Sequence, residues 1–349
     1  MKRNFAAAIG AMVLAALTTT ARAAPCLVVT LTGTQGGPTV FSGQAGAGTL
    51  VSYGDDSNNC GAVKLQFDAG RGTTMRLSQI NVTPVQLCWI FLTHIHGDHT
   101  EGLSDVMMLR WYLKGPKIDI VCSADAVSAL GFTNSCRNYI THIADAFLQS
   151  GEIAERRSED SARLAGGPAD LANVLTFEPK EEPQVVWSSG DVKVRAIRST
   201  HIAGHASYRL DTPAGNVVIG GDASNDMPAP PRAHSTSDQV ERLANGADVI
   251  VHSTIHPVLG PDGGSGFPAP SFYRQSLASD LGAMAKRVGT KYLILTHLAP
   301  SLGTARHNRW NVPGGALAEA DYRKAVEASG FTGTTIVGTD LATLRLPPK

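Results

Sequence analysis

Thr93-His94-Ile95-His96-Gly97-Asp98-His99 gathers three imidazoles and one carboxylate directly behind the apolar run Trp89–Thr93. On a chain leaving a strand, alternate side chains project the same way, so His94 and His96 can grip one ion. The turn through Gly97 can aim Asp98 and His99 at a second position. Imidazole nitrogen and carboxylate oxygen are ligands that zinc accepts at neutral pH. A surface histidine cluster is the bland alternative, and such tight placement after a buried strand argues against it.

Further ligand candidates share that placement. Thr200-His201 follows the run Val192–Arg198, Gly221-Asp222 follows Val217–Ile219, and His297 follows Tyr292–Thr296. Loops at one edge of a packed sheet are where ligands converge. Around them the chain opens with β-rich runs at Cys26–Leu31, Thr49–Tyr53 and Val63–Phe67, joined by Gly-rich turns. Helical spacing appears at Leu103–Leu113, Asp238–Ala244, Phe272–Arg287 and Ala316–Ala328, with strands at Lys117–Val121, Ser207–Asp211, Val249–Val251 and Thr334–Ile336. This order predicts an α/β protein with two sheets face to face and helices outside, in one domain over residues 24–349.

Residues 1–23 stand apart. Lys2 and Arg3 precede an uncharged apolar run from Phe5 to Leu17, and Ala21-Arg22-Ala23 offers a small-x-small cleavage site, the pattern of a signal peptide. The run is shorter than the roughly 20 apolar residues of a membrane span. The mature chain is therefore expected in the periplasm or the medium, with 27 basic residues against 30 acidic. An oxidising compartment invites disulfides among the five cysteines. Cys26 with Cys60 and Cys122 with Cys136 are candidate pairs that sequence does not settle; Cys88 reads as a buried core thiol.

His-x-His-x-Asp-His, followed by His, Asp and His at strand ends, resembles the metallo-β-lactamase superfamily. The resemblance runs from Leu31-Thr32-Gly33-Thr34-Gln35-Gly36-Gly37-Pro38 to Val337-Gly338-Thr339-Asp340-Leu341. Within it, the chain is most similar to the branch of ribonuclease Z, the arylsulfatases of this fold and class II cyclic-nucleotide phosphodiesterases. His201 with Tyr208-Arg209-Leu210, Gly220-Gly221-Asp222, and Ala247-Asp248-Val249-Ile250-Val251-His252 carry that assignment. Leu295-Thr296-His297-Leu298-Ala299-Pro300 leans toward the arylsulfatase-like members.

The resemblance implies an αββα four-layer sandwich of two mixed sheets with outer helices. It places His94, His96 and His201 on a first metal, and Asp98, His99 and His297 on a second, with Asp222 bridging. Asp68, in Phe67-Asp68-Ala69-Gly70, would orient ligand histidines from behind. His205 rivals His201, but the Tyr-Arg spacing favours His201. Asp98 and His252 are the expected catalytic residues, His252 occupying the place of a proton-supplying histidine, with Ser253 where the family carries Glu. His142, His234 and His307 read as surface residues.

Two divalent ions, zinc by ligand type, would lower the pKa of a bridging water toward about 7 and so make a hydroxide that attacks an ester. Asp222 in place of a Cys ligand argues for ester chemistry over β-lactam cleavage. Export, the slight negative charge, and nine acidic against four basic residues in Asp145–Pro183 argue against RNA. The expectation is thus an exported dinuclear zinc hydrolase of small sulfate or phosphate esters, arylsulfatase- or phosphodiesterase-like. Its partner would be a small-molecule ester, with no nucleic acid, no membrane, and a homodimer left open. A lactonase or carboxylic-ester hydrolase on the same metals, or a ribonuclease Z-like phosphodiesterase, are the alternatives. Phe267, Phe272, Tyr273 and Trp310 are candidates to wall an apolar pocket, with Pro257–Pro270 as a lid.

Overall fold

The computed structural model describes residues 23–348, so the expected signal peptide lies outside the described residues but for Ala23. Two seven-stranded sheets face each other. In the first, the order across the sheet is Thr343–Leu346, Pro25–Gly33, Gly48–Asp55, Val63–Phe67, Trp89–Phe91, Ile118–Ser123 and Ala172–Phe177. In the second it is Thr334–Val337, Tyr292–Ala299, Val249–Ile255, Gly215–Ile219, Ala206–Thr212, Val192–Arg198 and Gln184–Ser189. Each sheet is antiparallel on one side and parallel on the other.

The layering follows from side-chain alternation. Val249 and Val251 point into the core between the sheets, while Ile250 points to the outer helices, and every residue of Val249–Ile255 is buried. A strand covered on both faces must be largely apolar on both, which is why Val249–Val251 lacks polar alternation before the polar residues His252, Ser253 and Thr254 near the metal-ligand loops. The inter-sheet core joins Leu27, Leu65, Phe67 and Phe91 of one sheet to Val194, Tyr208, Val217 and Ile294 of the other. Helices Asp238–Ala244, Ala278–Val288 and Glu319–Glu327 cover the second sheet; Thr73–Gln79, Leu103–Tyr112 and Cys136–Thr141 cover the first. The architecture is the αββα sandwich with mixed sheets.

Four features differ from the sequence reading. The edge strands Ala172–Phe177, Gln184–Ser189 and Thr343–Leu346 were not anticipated, because half-exposed edges carry mixed polar residues and no clear apolar period. The expected helix Phe272–Arg287 is two helices, Ala269–Tyr273 and Ala278–Val288. Between them Ser276 and Leu277 pair with Ile255, and the Ser276 hydroxyl donates to the Ala223 carbonyl, so the backbone there is spent on tertiary contacts. Cys88 is half-buried rather than a core thiol, and the other four cysteines are joined as Cys26–Cys60 and Cys122–Cys136. Pro257–Pro270 is not a loose flap, since Leu259 and Phe267 pack with Ile255, Phe272, Ala299 and Val312.

Candidate metal centre

The His94–His99 segment leaves Trp89–Phe91 and at once turns into a short helix, Gly97–Thr100. Its shape is set from below. Asp68 accepts from the Thr93 amide at 2.7 Å and the Thr93 hydroxyl at 2.8 Å, and its Oδ2 lies 2.9 Å from His99 Nδ1. Tyr208, in the opposite sheet, donates to the Leu92 carbonyl at 2.8 Å and fixes the same turn from across the core. His297 sits inside the Tyr292–Ala299 strand, not after it. It is the extra residue of a bulge against Ser253 and Thr254, with φ +47°, a backbone position that non-glycine residues hold only when surroundings impose it. Gly221, with φ +61°, turns the chain ahead of Asp222.

The seven expected ligands converge. His94 Nε2 lies 2.9 Å from His96 Nδ1, which is 3.3 Å from His201 Nε2. His297 Nε2 lies 3.1 Å from Asp98 Oδ2, and His99 Nε2 is 3.9 Å from that oxygen. Asp222 stands between the two groups, 3.7 Å from His201 Nε2, 3.5 Å from His99 Nε2 and 3.3 Å from His297 Nε2.

Electrostatics divide the cluster. Burial pushes His94 and His96 down, and His201 down to about 4, so these three are neutral imidazoles at pH 7 with lone pairs available. Burial acts against charge on His99 too, yet Asp222 and Asp68 raise its proton affinity well above the ordinary range; against the same burial, Asp222 and Asp98 raise that of His297. Burial would raise the Asp98 carboxyl, but its bond to His297 and nearby imidazoles hold it at about 2.

Whether a cation fits is answered by two atoms. His99 Nε2 and Asp222 Oδ1 are buried, have no hydrogen-bond partner, and face each other at 3.5 Å. With Nδ1 donating to Asp68, Nε2 presents a lone pair to a carboxylate oxygen. A cation between these two atoms relieves their repulsion, a proton in accord with the raised proton affinity of His99 or a metal ion in its place, and the surrounding imidazole and carboxylate groups supply the further donors a metal ion needs.

A cavity of about 360 Å³ opens on the cluster, with Phe267, Arg274, His307 and Trp310 in its walls. A larger one, about 810 Å³, shares His96, His201 and Arg274 with it. Of the four aromatic candidates, Phe267 and Trp310 face the metal cavity, whereas Phe272 and Tyr273 do not line it. His307 is 6% exposed and walls the metal cavity, so it is not a surface residue; nothing in its local sequence signals this. Arg274 was hidden because an unbroken helix was expected through it. His252, expected to supply a proton, is fully buried beneath the Gly220-Gly221 turn and lines neither cavity. Its Nδ1 bonds the Ser253 carbonyl at 2.7 Å, and its Nε2 has no partner. A proton donor must come within hydrogen-bond reach of the leaving atom, and His252 has no such opening here. His205 is not a ligand-facing rival of His201: its Nε2 accepts from the Asp222 amide at 3.2 Å and its Nδ1 pairs with Ser199 Oγ at 2.8 Å.

Residues 57–256, more than half of the chain, match the family model described as Anti-Pycsar protein Apyc1. Ribonuclease Z of Mycobacterium bovis (strain BCG / Pasteur 1173P2) is 24% identical over 326 residues, covering 93% of this chain and 99% of the relative. Ribonuclease Z of Mycobacterium avium (strain 104) is 28% identical over 323 residues, covering 90% and 96%. Among solved structures, the metallo-β-lactamase fold protein YhfI from Bacillus subtilis superposes with a TM-score of 0.58 at 15% identity, over 92% of this chain and 100% of that one. Human tRNase Z, short form, gives 0.55 at 16% identity, over 92% and 100%. These relatives overturn the expectation of no nucleic-acid partner, since proteins alike along nearly the whole chain are ribonucleases by name. Charge summed over the chain or over Asp145–Pro183 says nothing of where each cation sits: Arg274 is exposed, borders both cavities and forms no ion pair among the described residues. A metal-dependent ester hydrolase on a metallo-β-lactamase fold, the chain belongs to the Anti-Pycsar protein Apyc1 family.

Proposed function

We propose that the chain is an exported dinuclear phosphodiesterase acting on nucleotide phosphodiesters. The observation that carries this reading is the joining of two ligand triads through Asp222, beneath a cavity that Arg274 borders. His94, His96 and His201 hold one divalent ion, Asp98, His99 and His297 the other, and Asp222 serves both; zinc suits this nitrogen and oxygen donor set. Bound there, the ions supply Lewis acidity and acidify a water toward neutral pH. Asp68 and Thr93 hold His99 in the tautomer that leaves Nε2 free. Arg274 is exposed and offers a guanidinium to a phosphate oxygen, a pairing stronger than a neutral lactone carbonyl would make. Phe267 and Trp310 meet edge to face with centroids 5.1 Å apart and close one wall of the cavity with apolar surface that a base can lie against. The ribonuclease names among the relatives favour phosphorus over sulfur as the centre attacked.

The test is metal analysis followed by rates on chromogenic esters. Purified in zinc, the protein should carry about two ions per chain. It should cleave bis(p-nitrophenyl) phosphate over nitrophenyl sulfate and a lactone by about 100-fold in kcat/KM, about 2.7 kcal/mol of barrier. Full activity without bound metal, or preference for the sulfate or lactone, would overturn the assignment.

Export is supported by the pattern in residues 1–23 and by the Cys26–Cys60 and Cys122–Cys136 bonds, which persist in oxidising compartments. N-terminal sequencing of protein recovered from the periplasm or medium should begin at Ala24 or a neighbouring residue. Recovery in the cytosol with Lys2 and Arg3 retained would refute it.

A further inference from the structure

Arg306–His307 and Trp310–Asn311 pair as a two-stranded ribbon, turned at Asn308 and Arg309. The ribbon lends His307, Asn308 and Trp310 to the metal cavity. The same three residues, with Pro38, also border a second cavity of about 730 Å³, so the two spaces meet along this rim. The outer cavity is walled by Thr39, Val40 and Phe41 together with Arg306 and Arg309.

Its chemistry is distinctive. Both arginines are exposed, and among the described residues neither forms an ion pair. No carboxylate lines the cavity. Arg309 lies over the Trp310 ring, 5.0 Å from its centroid, and Val40 is 59% exposed beside the half-buried Phe41. Unpaired guanidiniums beside flat and apolar surface match a ligand that carries both a phosphate and a base. A chain with its scissile phosphodiester over the metal cluster would bring such a unit to this rim as its next residue.

Resting on the phosphodiesterase reading above, we propose that the outer cavity binds the nucleotide adjoining the scissile bond, with its phosphate on Arg306 and Arg309 and its base against Phe41 or Trp310. The substrate is then a nucleic-acid strand, engaged on both sides of the ribbon.

The test compares a dinucleotide, a tetranucleotide and bis(p-nitrophenyl) phosphate as substrates of the zinc-loaded enzyme. The longer strand adds a phosphate held by two guanidiniums and a stacked base, so KM should fall about tenfold from dinucleotide to tetranucleotide. The double variant Arg306→Ala/Arg309→Ala should erase most of that ratio, and Arg306→Lys/Arg309→Lys should restore part of it. A second readout needs no turnover: binding of a phosphorothioate tetranucleotide to chelator-treated protein at several salt concentrations. Loss of the one phosphate contact should flatten the log–log salt slope by about 0.7. Equal KM values for the two lengths, or an unchanged salt slope in the alanine variant, would overturn the subsite while cleavage of the chromogenic diester left the phosphodiesterase reading standing. Failure to cleave any diester would instead sink that reading, and the salt slope would still decide the subsite.

Discussion

Asp222→Ala is expected to abolish activity and to lower metal content at both positions, the largest effect of any single substitution in the chain. Asp222 reaches toward all three of His99, His201 and His297, at 3.5, 3.7 and 3.3 Å. Nearby imidazoles hold its carboxyl well below the usual range despite complete burial, so the anion is what the site retains. Removing it would take away the carboxylate placed to serve both proposed ions and would leave imidazoles in a buried pocket without a counter-charge. A loss of about four orders of magnitude in kcat/KM, about 5.4 kcal/mol, is the scale expected. Asp222→Asn should be nearly as damaging, because a neutral amide oxygen is a poor substitute for a bridging carboxylate. Metal analysis of both variants reads the effect directly. Retention of two ions per chain with activity within tenfold would refute the bridging assignment.

The second large effect separates two histidines four residues apart. His201→Ala should lose one of two ions and about 1000-fold in kcat/KM, about 4 kcal/mol. His205→Ala should keep both ions yet lower the melting temperature. His205 accepts from the Asp222 amide and pairs with Ser199, whose hydroxyl also lies 2.8 Å from Ser207 Oγ, and all of these groups are buried. Leaving buried donors unpaired costs about 1–3 kcal/mol each, so the loss appears in stability first. Metal content against thermal unfolding distinguishes the two variants. Loss of an ion from His205→Ala with none from His201→Ala would show that the roles are exchanged.

Much of the centre was legible because its residues are forced to sit at chain positions that sequence marks. His94, His96, Asp98 and His99 fall in one short segment after an apolar strand, and His201 and Asp222 stand just past strand ends. Asp68 was legible by resemblance, and the structure places its carboxylate on His99 and Thr93. His307 and Arg274 were not legible. Their neighbours carry no apolar period pointing to a site, and only the folding of the Trp310 ribbon and the break after Tyr273 bring them to the cavity. His252 shows the converse. Its position in the chain matches a proton donor, but the Gly220-Gly221 turn closes over the ring, and a Cβ on Gly220 would come within 2.1 Å of it.

By itself, then, the sequence determined the layered α/β class, the ligand-bearing strand ends and the hydrolytic metal chemistry. These are local matters: apolar period, turn residues and ligand spacing act over a few residues and are written in order along the chain. Which side chains reach the substrate was decided only in three dimensions. The cavities are bounded by segments as far apart as Pro38, Arg274 and Trp310, and no local preference encodes their meeting. The same holds for charge: a chain that is neutral as a whole places uncompensated arginines where its cavities open, because packing, not composition, decides where each charge ends up.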